Sequence, residues 1–202
     1  EKADEQFVWF IRIANKKDIT DPDSLRLIGL AGLERARQKH LTDQFQTVIS
    51  EYFNAAEKAD KRYWQGAYEA GRVFAEKHNK PAAFRAFERA LVINPRSAEV
   101  LVAKGQMAAA SYEFKDADRY AEQALKVNPR FVGALNLLAE VQWFSGEIDT
   151  AMKTAETARA VNPRDESTLA RLAAGYYAKR NQKAFDEIEK EALKTNPKCY
   201  TF

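Results

Sequence analysis

The chain has 202 residues, 46% hydrophobic and 30% charged, with a formal net charge of +3. That is the composition of a soluble chain folding as one or two ordinary domains or as a single elongated array, and so small a charge excess names no anionic partner. The one cysteine, Cys199, makes neither an internal disulfide nor a thiolate metal site, and the longest apolar run, "FVWFI" at 7–11, is far too short to span a bilayer.

In chain order, residues 3–16, "ADEQFVWFIRIANK", read as a helix. "SLRLIGLAGLERARQKH" at 24–40 and "TDQFQTVISEYFNAAEKA" at 42–59 each carry an apolar face at helical spacing. Downstream the chain becomes periodic. Asn94, Asn128, Asn162 and Asn196 are each followed by proline and then a basic residue, and successive ones are 34 residues apart. An internal period of this length marks a repeat architecture.

Four units, 64–97, 98–131, 132–165 and 166–199, bring further positions into columns. The eighth is always small (Gly71, Gly105, Ala139, Ala173), and the twenty-seventh is always alanine (Ala90, Ala124, Ala158, Ala192). The twentieth is alanine except at Phe185, and the fourth is aliphatic, with Ala67 the smallest member. Small residues at fixed places let helix axes approach, and larger ones fill the space between them. Each unit is interrupted once near its middle, at "EKHNKPAAF" (76–84), "YEFKDA" (112–117), "FSGEIDTA" (144–151) and "AKRNQKAF" (178–185). Pro81 suits the first turn of a second helix, and Gly146 suits the left-handed end of a first one. Each unit therefore reads as helix, turn, helix. Asn-Pro ends the second helix, because proline disfavours helical geometry in the residue before it and has no N–H to donate. The repeated words are punctuation rather than a ligand motif.

With the 34-residue length, the small eighth position, the alanines at positions twenty and twenty-seven and the proline at thirty-two, the sequence resembles the tetratricopeptide repeat (TPR) family over 64–199. The resemblance implies an all-α, right-handed superhelical solenoid of helix-turn-helix repeats. On that reading residues 25–63 are a degenerate, slightly long repeat, 1–24 hold part of the preceding one, and 200–202 begin the next. Both ends look cut, as in a fragment of a longer protein.

Catalysis has no constellation to stand on. His40 and His78 lack a metal-ligand spacing, Ser50, Ser111 and Ser145 lack a nucleophile's turn, and no glycine loop cradles phosphate. The expectation is a non-enzyme, with no catalytic residue, metal or cofactor. In the TPR family, positions two, five, nine and twelve of the first helices line the concave face. Here that set contains Tyr68, Arg72, Gln106, Asn136, Glu140, Trp143 and Tyr177, the candidate partner-binding residues. Glu99 and Glu140 offset Arg72, so no phosphate track forms and nucleic acid is not expected. Of the positions that clamp a C-terminal carboxylate in some family members, only Arg72 is cationic, so that clamp is not expected either.

The resemblance thus implies a protein–protein interaction scaffold holding a peptide segment or a partner domain. Trp143 and Phe144 either contact that ligand or pack between neighbouring first helices. Residues 76–105 are also similar to arrays preceding a metallopeptidase-like domain in large bacterial proteins, which gives an alternative: a non-catalytic accessory region of a larger enzyme. Self-association through uncovered terminal repeats is a further expectation. The compartment stays open between cytoplasm and periplasm.

Overall fold

A computed structural model of the chain describes residues 5, 6, 8, 9, 11, 12 and 19–197, and every regular element among them is a helix. The chain divides into two compact units, Glu1–Pro95 and Arg96–Phe202.

In the first unit, α1 (Pro22–Gln38) starts where the Asp21 carboxylate accepts from the Ser24 N–H at 2.8 Å, with proline in the opening turn. Leu25, Ile28, Leu33 and Ala36 form its buried face. The next helix runs as α2 (Gln44–Val48), a π turn (Ile49–Phe53) and α3 (Asn54–Ala59). A π turn takes in one residue more than an α turn; here it carries Phe53 into full burial. Two bare backbones make room for it. A Cβ on Gly29 would stand 2.6 Å from Phe53 Cε1, and one on Gly66 would stand 2.6 Å from the Phe53 carbonyl oxygen. The hairpin of α4 (Trp64–Glu76) and α5 (Lys80–Ile93) follows. Asn79 caps α5 by accepting from the Ala82 N–H, and Pro81 lies in the first turn, as expected. Phe87 fills the space that Gly71 leaves, where a Cβ would meet its ring at 2.5 Å.

The second unit is three hairpins: α6 (Ala98–Ala109) with α7 (Phe114–Val127), α8 (Val132–Phe144) with α9 (Ile148–Val161), and α10 (Glu166–Ala178) with α11 (Gln182–Thr195). The second helices present buried alanine stripes, Ala117-Ala121-Ala124 and Ala151-Ala155-Ala158. Against such a stripe helices pack closely, and Leu137, Leu169 and Leu172 fill the interior. Asn94, Asn128, Asn162 and Asn196 each stand just past a second helix and leave helical geometry. The Oδ1 atoms of Asn128 and Asn162 accept the backbone N–H of Arg130 and Arg164 at 3.0 and 3.1 Å, which closes the turn through the side chain. The Asn-Pro-Arg words are helix stops.

Turns between paired helices share one backbone device. His40, His78, Tyr112, Gly146 and Arg180 stand at φ 54°, 56°, 61°, 82° and 54°. In every case the next residue's N–H reaches back five residues, as in Glu113 to the Ala108 carbonyl at 2.9 Å. This is the Schellman closure of a helix end, which prefers glycine. Only Gly146 announces it in sequence; the other four turns hold a side-chain-bearing residue in the left-handed region.

The helix expected over 3–16 lies largely outside the described residues, although Glu5, Gln6, Val8, Trp9, Ile11 and Arg12 are helical. Cys199 and the helix start expected at 200–202 lie outside them altogether.

Candidate partner-binding site

The second unit opens a pocket of about 370 Å³ between α8, α9 and α10. Its walls are the aromatic pair Trp143 and Phe144 at the end of α8 and Met152 from α9. Its depth comes from small residues, Ala139, Ala151, Ala170 and Ala174. Glu140 and Arg171 supply the charge and pair with each other at 2.7 Å. Arg171 Nε is buried without an acceptor among the described residues, so Glu140 does not use the whole guanidinium. Concave, mostly apolar walls with a few polar groups describe a binding pocket.

The apolar surface continues outward. Phe144 is 58% exposed and stacks on Phe114 at 5.1 Å between centroids, and Tyr112, 79% exposed, meets Phe114 edge-on at 6.1 Å. Aromatic rings left in water in a contiguous group mark an interaction surface more often than a packing accident.

The residues singled out from sequence fall into different environments. Glu140 and Trp143 line the pocket together. Tyr177 does not; it is 73% exposed, tilts against Phe185 and borders a shallow recess with Arg180 and Asn181. Gln106 is exposed on α6. Asn136 is buried, and its side chain is occupied inside the unit. Its amide donates to Asp165 Oδ2 at 2.8 Å, while its Oδ1 accepts from the Thr168 hydroxyl at 2.9 Å. It ties α8 to the start of α10 and presents nothing to a ligand.

Tyr68 and Arg72 belong to the first unit. The Tyr68 ring sits between Trp64 and Phe87 at 5.9 and 6.2 Å, and the Arg72 guanidinium donates to buried Glu69 at 3.1 Å. Glu69 also takes Arg26, whose Nε donates to the Tyr63 hydroxyl at 3.0 Å; that hydroxyl donates in turn to Asp23 at 2.7 Å. Burial, and then the bond to the Asp23 carboxylate, push the Tyr63 pKa up to about 12.

A model of the tetratricopeptide repeat family matches residues 108–175. Over that stretch the chain is similar to tetratricopeptide repeats. Solved TPR structures agree on the fold. The Cut9–Hcn1 hetero-tetramer of APC/C is 13% identical with a TM-score of 0.78, over 97% of this chain and 38% of that one. Pseudomonas aeruginosa pilF is 16% identical with a TM-score of 0.66, over 97% and 79%. The TPR protein YrrB is 17% identical with a TM-score of 0.54, over 86% and 89%. No curated protein matches the sequence.

The TPR position rule finds Glu140, Trp143, Ser167, Ala170 and Ala174, all of which line the pocket. It misses Phe144, Met152 and Arg171, which fall at other positions of their units. Met152 carries a usable signal in retrospect: Gly175 lies opposite it, where a Cβ would stand 2.6 Å from Met152 Cγ. Among the described residues, no three His, Cys, Asp or Glu side chains are grouped as metal ligands, and no helix is long and apolar enough to cross a membrane.

Proposed function

We propose that this TPR chain is a scaffold that holds a peptide segment of a partner, and that the segment seats a bulky apolar side chain between α8 and α10. The carrying observation is the pocket itself, where Trp143, Phe144 and Met152 converge over small residues. Rigid aromatic and thioether walls supply contact area at little ordering cost, because the helices that hold them are already packed. YrrB, which shares the fold, is a TPR protein with an unusual peptide-binding site, which makes peptide capture a reasonable use of the scaffold.

The test is a selection of displayed random dodecapeptides on the wild-type chain and on Ala174→Trp. Ala174 is exposed and lines the pocket, so the larger ring fills it without entering the core. Circular dichroism and thermal melting check that both baits are equally folded. The reading expects clones that bind the wild type and lose at least tenfold on the variant. Clones that bind both baits equally place recognition elsewhere and refute it.

A further inference from the structure

The charges around the stacked rings of Phe114 and Phe144 bear on what kind of peptide the pocket takes. The charges that belong to the pocket cancel: Glu140 with Arg171 at 2.7 Å, and close by, at the start of α9, Asp149 with Lys179. Along α7, Asp116 is likewise taken by Arg119 at 2.7 Å.

Three carboxylates remain grouped without a salt-bridge partner among the described residues. Asp118 follows Phe114 by one helical turn and shares its face, and Glu122 follows Asp118 by another. Glu147, at the cap of α9, comes from the neighbouring hairpin. The Asp118 carboxyl is held above its usual value, first by burial and then by the charges of Glu122 and Glu147, so the three carboxylates share one field. Among the described residues no Lys or Arg pairs with any of them at salt-bridge distance. Like charges left together cost stability unless something of opposite sign arrives. Asp118 shares its face with Phe114, which stacks on the exposed, pocket-lining Phe144, and Glu147 follows Phe144 by three residues.

We infer that the peptide seated in this pocket carries lysine or arginine beside its apolar anchor, with the anchor against Trp143, Phe144 and Met152 and the basic residue over Asp118, Glu122 and Glu147. The inference rests on the proposed pocket and adds the chemical class of its ligand. Charge complementarity of this sort sets specificity and association rate, and it weakens in salt because the carboxylates are at the surface.

The dodecapeptide selection is repeated on a third bait, Asp118→Asn/Glu122→Gln/Glu147→Gln, whose side chains keep their shapes. The wild-type pool is expected to show lysine or arginine enriched at least threefold within three residues of an aromatic or large aliphatic residue. That enrichment disappears on the triple variant, and single clones bind the wild type at least tenfold more weakly at 500 mM than at 50 mM salt. Clones that need the open pocket but show no basic bias, or an acidic one, overturn this inference and leave the pocket reading standing. Clones indifferent to Ala174→Trp overturn both.

Discussion

The two units use the same hairpin in opposite ways. In the first, the Tyr68 ring joins Trp64 to Phe87, and Asp23, Tyr63, Arg26, Glu69 and Arg72 form one polar chain, while Trp9 and Phe84 stay exposed. In the second, internal packing is left largely to alanine and leucine, and Tyr112, Phe144 and Tyr177 remain in water. Where small residues at regular spacing already hold a stack together, large ones are left at the surface. Where the preceding segment is irregular, a large ring, Phe53, is spent on closing it. The first unit has such an irregularity in the π turn at Ile49–Phe53.

Replacing the two kinds of glycine contact breaks this comparison hardest. Gly66→Ala drives a methyl against a backbone carbonyl that no rotamer change moves, and we expect a loss of about 3 kcal/mol in urea unfolding. Gly105→Ala, in the second unit, meets the end of the Leu137 side chain at 2.4 Å. Leu137 gives way and helix propensity improves, so the net loss is under about 1 kcal/mol. Equal losses would mean that the π turn constrains the first unit no more than regular packing constrains the second.

Tyr63→Phe sharpens the comparison next. It removes the hydroxyl that joins Asp23 to Arg26 and is expected to cost about 1.5–2 kcal/mol at neutral pH. The folded protein holds the Tyr63 proton more tightly than the unfolded chain does. Its contribution is therefore complete below about pH 10, the unfolded value, and is lost as pH rises toward about 12. The stability difference between wild type and Tyr63→Phe should shrink across that window, and a constant difference would place the hydroxyl outside the network.

The smallest effects concern the shared turn. Gly146→Ala puts a side chain at φ 82° in otherwise open space and should cost about 1 kcal/mol. His78→Gly relieves the same geometry in the first unit and should gain at most about 1 kcal/mol. Paired thermal melts of the two variants check both signs.

Much of the fold was legible because its signals are local. Proline beside Asn128 or Asn162 stops a helix wherever it occurs, and Pro81 and Gly146 do their work within one turn. The π turn was not legible, because it exists to bring Phe53 under Gly29 and beside Gly66, residues distant in sequence. The left-handed turn residues His78, Tyr112 and Arg180 gave no sign, since the closing hydrogen bond, not the side chain, holds them there.

Of the candidate site, a spacing rule found Glu140 and Trp143, which do line the pocket. It also selected Asn136, because spacing records which way a position points and not what the next hairpin sets against it. Asp165 and Thr168 meet Asn136 and remove it from the surface. Phe144, for which the sequence left contact and packing both open, lines the pocket, and Met152, which no spacing singled out, lines it from the second helix.

The most direct test of the central claim, that the second unit binds peptide through this pocket, uses the chain's own rare residues. Its two methionines and three tryptophans give few, separable signals when the methyl groups are labelled with carbon-13 and the indoles with nitrogen-15. A wild-type-selected dodecapeptide is titrated in and the spectra are followed. The account predicts that the Met152 methyl and the Trp143 indole shift in saturable fashion with one dissociation constant, while Trp64, half-buried in the first unit, stays in place. Saturable binding that leaves Met152 and Trp143 unmoved would contradict it.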